Sequence, residues 1–195
     1  MKLVTHVTFM LITAILTLCT LAAQAGELKQ ALVFGLDYGG ESLKAVKVST
    51  GETVHTDVNS GLSGAYGFIY DTGDIGFQVT AGLKTSAYMS SAHYAWMAAP
   101  VDMMLLYRFS NFRVGLGLTK HYLPRLENDL QGYTRPGRTT YDNAIGNIVE
   151  IGWASSDGTG GIGLRLTSIK FREKDVINAP EVNGDVVGIY LSINK

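Results

Sequence analysis

Cysteine is almost missing from this chain. Its 195 residues include one, Cys19, which lies in an apolar run near the N-terminus. No disulfide or thiolate metal site is therefore expected beyond residue 25. Charge is scarce as well: 17% of residues are charged and the formal net charge is -1. That excludes the basic stripe of a nucleic-acid binder, so no nucleic-acid partner is expected. After residue 25 no apolar run is long enough for a helical membrane span. His55, His93 and His121 are scattered through the chain rather than set at the short spacing of a metal pair. No catalytic, metal or cofactor-binding set is expected from the spacing of the residues. Glycine (23) and tyrosine (10) are abundant, and the mean hydropathy of +0.13 is high for a chain so rich in glycine.

Residues 1–25 read as a cleavable signal peptide. Lys2 gives a positive start, an apolar run spans Val7 to Leu21, and Ala23-Gln24-Ala25 offers small residues for cleavage before Gly26. Cys19 follows Leu16-Thr17-Leu18, which lacks the small residue of a lipobox, so Cys19 is a hydrophobic filler. Residues 26–195 then form one domain.

That domain is written in period two. In Phe112-Arg113-Val114-Gly115-Leu116-Gly117-Leu118-Thr119 every second residue is apolar, the mark of a strand with two unlike faces. Val101, Met103, Leu105, Tyr107 and Phe109 line one face of the preceding segment, and Ser110-Asn111 joins the two as a hairpin. Similar alternation marks Leu32–Tyr38, Tyr66–Tyr70, Ile75–Leu83, Ile145–Trp153, Ile162–Leu166 and Val187–Ile193. If 31–49 and 53–70 are each one bent strand, the total is about eight. Short turns fall near residues 72, 110 and 157, and longer loops near 90, 132 and 177. This predicts an all-β, up-and-down antiparallel transmembrane β-barrel with tight turns at one end.

Two kinds of barrel share such a pattern, and their polar faces distinguish them. A soluble barrel shows a solvated, densely charged outer face. Here the polar face is mostly Gly, Thr, Ser and Gln, with isolated charges at Asp37, Lys84, Asp102, Arg108, Arg113, Glu150 and Arg165. Charges gather instead in connections, at Arg125–Arg138 and Arg172–Asp175. Tyr38, Tyr70, Tyr107, Tyr122 and Trp153 fall near strand ends, where aromatic girdles would lie. The apolar face is therefore expected to touch lipid, and the polar face to fill a narrow interior. Buried charges must pair, which predicts a network of Arg108, Arg113 and Arg165 with Glu150, Asp102 and Asp37. Asp37 and Lys84 have snorkelling at strand ends as a rival reading. A soluble periplasmic barrel remains the alternative to the membrane reading.

The segments FGLDYGGESL (34–43), LLYRFSNFRVGLGLTKH (105–121), YDNAIGNIVEIGW (141–153) and GIGLRLTSIKF (161–171) resemble a family of small bacterial outer-membrane β-barrel proteins. The architecture is similar to outer membrane protein X and the barrel of outer membrane protein A. The resemblance spans most of residues 26–195. It implies a Gram-negative outer-membrane location, lipid and lipopolysaccharide as surroundings, the barrel-assembly machinery as a partner in biogenesis, and a monomer. It brings no activity with it. One departure is the C-terminus, Leu191-Ser192-Ile193-Asn194-Lys195, which lacks the terminal aromatic typical of such proteins.

A structural or surface-interaction role through loops 85–95, 123–141 and 172–183 is the expectation. The alternatives are a narrow channel for small solutes and a lipid A-modifying enzyme. The enzyme reading would need a nucleophile beside His121, where Leu123 stands, or a group of Ser90 or Ser91 with His93 that no spacing selects. Gly158, Gly160 and Gly163 match G-x-G-x-x-G formally, but they run from a turn into a strand instead of opening a helix.

Overall fold

The computed structural model describes residues 26–43, 56–86, 94–128 and 137–195. The proposed signal peptide, Cys19, His55, Ser90, Ser91 and His93 lie outside the described residues. Twelve strands are present among those described: β1 (Glu27–Gly39), β2 (Ser42–Leu43), β3 (Thr56–Asp57), β4 (Gly61–Asp71), β5 (Ile75–Thr85), β6 (Tyr94–Phe109), β7 (Phe112–Asn128), β8 (Gly137–Thr140), β9 (Ala144–Ala154), β10 (Gly160–Arg172), β11 (Glu181–Asn183) and β12 (Val186–Asn194).

Eight of them close a barrel. β1, β4, β5, β6, β7, β9, β10 and β12 pair in succession, each antiparallel to the next, and β12 returns to pair with β1. Closure removes the exposed edges that an open sheet would leave. The connections at one end are tight. Ser110-Asn111 links β6 to β7 through a two-residue turn that places Phe109 opposite Phe112. Ser110 takes a φ of 54°, the positive value required at the first central position of a primed hairpin turn. Both termini of the barrel lie at this same end, where Ala31 pairs with Asn194.

The faces follow the alternation. On β7, Phe112, Val114, Leu116 and Leu118 are exposed, while Arg113, Gly115 and Thr119 are buried. Leu116 is 65% exposed although apolar, the reverse of a soluble core. The same apolar face continues on β1 through Phe34 and Leu36, on β10 through Leu164 and Leu166, and on β12 through Ile189 and Leu191. Its lower margin is aromatic: Tyr107, Phe109, Phe112 and Trp153 form a chain of ring contacts 4.5–6.2 Å apart. From Phe112 to Tyr122 is about ten residues, which at the usual strand tilt gives a belt roughly 25 Å tall.

Several boundaries differ from the sequence reading. Residues 31–49 are not one bent strand: β1 stops at Gly39, and Gly39 and Gly40 have φ of 124° and 82°. There the chain turns off the barrel into the small β2–β3 ribbon. The segment after Tyr122, expected as a loop, continues as strand to Asn128 and pairs with β8. The pairing of β6 and β7 shifts register between Met97 and Ala99. This bulge accommodates Leu123, whose φ is 51°. β6 likewise begins at Tyr94, inside the expected polar connection. At 16 and 17 residues, β6 and β7 exceed the ~9–11 that a span needs, so their far ends project beyond the apolar belt.

Candidate functional site: the barrel interior

An eight-stranded barrel is just wide enough for side chains to fill it. Here the inward residues stack in layers. Closest to the tight turns, Arg108 donates to both carboxylate oxygens of Asp71 at 2.8 and 2.7 Å, and the Lys29 ammonium lies 3.6 Å from Asp71. Inward from this end comes an apolar layer of Ala31, Ile69, Met104, Leu106 and Ile148.

The central layer is ionic. Arg165 donates from Nε to Glu150 at 2.7 Å and from Nη1 to Asp102 at 2.9 Å. Arg113 is 3.8 Å from the second oxygen of Glu150 and donates to the Ser192 hydroxyl at 3.2 Å. Lys84 pairs with Asp37 at 2.6 Å. Three cations thus meet three carboxylates, all turned inward. Tyr190 lies among them, its ring 5.2 Å from the Arg113 guanidinium carbon and 5.8 Å from that of Arg165. Glycine makes this possible on β9, since a Cβ at Gly152 would stand 2.7 Å from the Tyr190 hydroxyl.

Above the ionic layer His121 packs against Phe171, with ring centroids 5.7 Å apart. Phe171, Trp96, Tyr141, Val58, Ala144 and Ile169 then form an apolar cluster within the far end. The Trp96 ring is 5.1 Å from Tyr141 and 4.9 Å from Phe171.

The structure brings Asp102, Arg113, Glu150 and Arg165 of the expected network together. Asp37 also points inward, but its partner is Lys84 and not an arginine. Arg108 faces the interior yet belongs to the separate Asp71 cluster, a correction to the expectation of one network. Asp71 borders the short turn expected near residue 72. Its alternation with Gly67 and Ile69 was the signal that it points inward. His121 is 3% exposed and faces the interior. Trp96 and Phe171 fall just outside the expected loops 85–95 and 172–183, beyond the ends of the clear alternation.

A cavity of about 20 Å³ lies among Asp37, Lys84, Asp102, Thr119, His121 and Arg165, and another of about 10 Å³ lies beside Arg108 and Arg113. Each has room for about one water. No group of three or more potential metal ligands is present among the described residues.

An apolar exterior, a charge-paired interior and closure by eight antiparallel strands define the class: a small membrane-spanning β-barrel. No family model matches the sequence, and no curated protein matches it. Among solved structures, the chain is similar to Neisserial surface protein A, with 14% identity and a TM-score of 0.48 over 87% of this chain and 99% of that one. It is also similar to the outer membrane protein AlkL, solved by solid-state NMR in DMPC lipid bilayers, with 14% identity and a TM-score of 0.40 over 88% of this chain and 90% of that one.

Proposed function

We propose that this protein is an integral β-barrel of a Gram-negative outer membrane, with a structural or surface-interaction role and without enzymatic activity. The observation that supports this most is the pairing of a lipid-type exterior with an interior already occupied by its own ions. In the central layer three inward cations are balanced by three inward carboxylates. The apolar cluster of Trp96 and Phe171 closes the far end over them. Function then falls to what projects past the apolar belt, the extensions of β6 and β7 with β8 beside them. In this reading the tight turns face the periplasm, the longer connections face outward, and the barrel works as a monomer assembled by the barrel-assembly machinery.

Membrane fractionation combined with heat-dependent gel mobility tests this. The protein is expected in the outer-membrane fraction, running faster unheated than boiled. Recovery in the soluble periplasmic fraction, with a mobility that heat does not change, would exclude it.

A further inference from the structure

Three polar side chains converge on the lumen from two neighbouring strands. Asp102 on β6 stands directly opposite Thr119 on β7. His121 is two residues further along β7 and so shares the inward face of Thr119. All three are buried.

Their hydrogen bonds do not add up. Asp102 uses one carboxylate oxygen, Oδ2, to accept from Arg165 Nη1 at 2.9 Å. Its other oxygen, Oδ1, has no hydrogen-bond partner among the described residues, and neither have Thr119 Oγ1 and His121 Nδ1. Buried polar atoms are nearly always paired, and a bare carboxylate oxygen is among the costliest exceptions. The three atoms are chemically suited to a shared partner. A carboxylate oxygen only accepts, a threonine hydroxyl donates as well as accepts, and an imidazole nitrogen does one or the other according to its tautomer.

The same three residues line the cavity of about 20 Å³ in the upper lumen. That volume admits one water-sized molecule. Val33, Ala65, Pro100 and Ile148 supply the apolar part of its wall, with Ser63 and Thr167 beside them. Pro100 lies opposite His121 and has no N–H to offer. The charged groups on the wall cancel, Lys84 against Asp37 and Arg165 against Asp102. An ion has no net charge to hold it there. The occupant that fits is neutral, water-sized, and able to donate and accept at once.

We propose that this cavity is a binding site for a single water molecule. The water donates to Asp102 Oδ1 and to His121 Nδ1, and it accepts from the Thr119 hydroxyl. Asp102 is then held on both oxygens, by Arg165 across the lumen and by the water along its own side of the wall. His121 in turn packs against Phe171 of the apolar cluster. The water thereby joins the ionic layer to the layer above it. The site lies inside the wall, so it goes beyond the outer-membrane reading and stands whether or not that reading holds.

Crystal structures of the parent and two variants, grown with sodium bromide in place of chloride, test this. In the parent one density peak without anomalous signal is expected about 2.6–3.2 Å from Asp102 Oδ1, Thr119 Oγ1 and His121 Nδ1. Thr119→Ser keeps the hydroxyl and should keep the peak. Thr119→Val keeps the shape without the hydroxyl and should lose it. Three results would overturn the proposal: a parent in which His121 bonds Asp102 or Thr119 directly with no peak between them, a peak carrying the bromide signal, or an unchanged peak in Thr119→Val. The parent result decides even where a variant does not fold, which heat-dependent mobility reveals.

Discussion

Asp102 and Arg165 meet at 2.9 Å from strands that lie three apart around an eight-stranded barrel. They are 63 residues apart in the chain. The contact therefore crosses the lumen, and a single guanidinium joins β6 to both β9 and β10 through Asp102 and Glu150. It is the interior counterpart of the backbone pairing that closes the wall.

Removing that guanidinium leaves two buried carboxylates without their main partner. Arg165→Met is expected to cost about 3–5 kcal/mol, the range for breaking a buried ion pair from one side. Urea unfolding of the barrel in lipid, followed by the loss of the heat-sensitive gel form, measures it. The triple variant Asp102→Asn, Glu150→Gln, Arg165→Met should recover part of the loss, because no unpaired charge remains.

Gly188 sets the position of Asp37. A Cβ at Gly188 would stand 2.0 Å from the Asp37 carboxylate and 2.7 Å from the Leu36 carbonyl. Gly188→Ala should therefore push Asp37 away from Lys84 and destabilise the barrel by about 1–3 kcal/mol, as overpacking does. The same unfolding assay reads this out. If Asp37→Asn with Lys84→Met is made first, the alanine should cost less.

The outer apolar cluster and the ionic layer should block passage independently. Trp96→Ala is expected to cost about 3–5 kcal/mol of stability. It should nevertheless leave planar-bilayer conductance as low as in the parent, since the ion-paired layer below stays filled. A large, stable conductance in the parent protein would contradict the filled interior.

The turn between β9 and β10 carries an acid-resistant carboxylate. The hydroxyl of Ser155, then the Thr159 N–H and hydroxyl, hold the Asp157 carboxyl down to about 2. Because the folded value is depressed, the contribution is complete above the unfolded carboxylate range near 4. It disappears as pH falls through about 2. The Asp157 carboxyl should titrate at about 2 by NMR in the parent, and nearer its ordinary value in Ser155→Ala with Thr159→Val.

Much of the wall was legible because a strand has only two faces. Once Leu116 and Leu118 faced lipid, Arg113 and Thr119 had to face inward. Interior partners were harder to read, because they depend on how far the register shifts around the closed barrel. Asp71 and Arg108 are 37 residues apart, on strands separated only by β5, and the registers of both pairings must be known before the two meet. The projecting parts of β6 and β7 escaped notice because Pro100, Pro124 and the bulge at Leu123 interrupt the alternation there. Trp96 and Phe171 were missed for a related reason: an apolar cluster within a polar interior breaks the one-face rule that identified the rest.

The apolar face of β7, with Leu116 65% exposed, is where contact with lipid is read most directly. A nitroxide at Leu116→Cys tests it in bilayers. Strong relaxation by oxygen and almost none by a water-soluble nickel chelate are expected. Strong relaxation by the chelate with little by oxygen, or protection from both, would place Leu116 in water or in a core and contradict a lipid-facing β7.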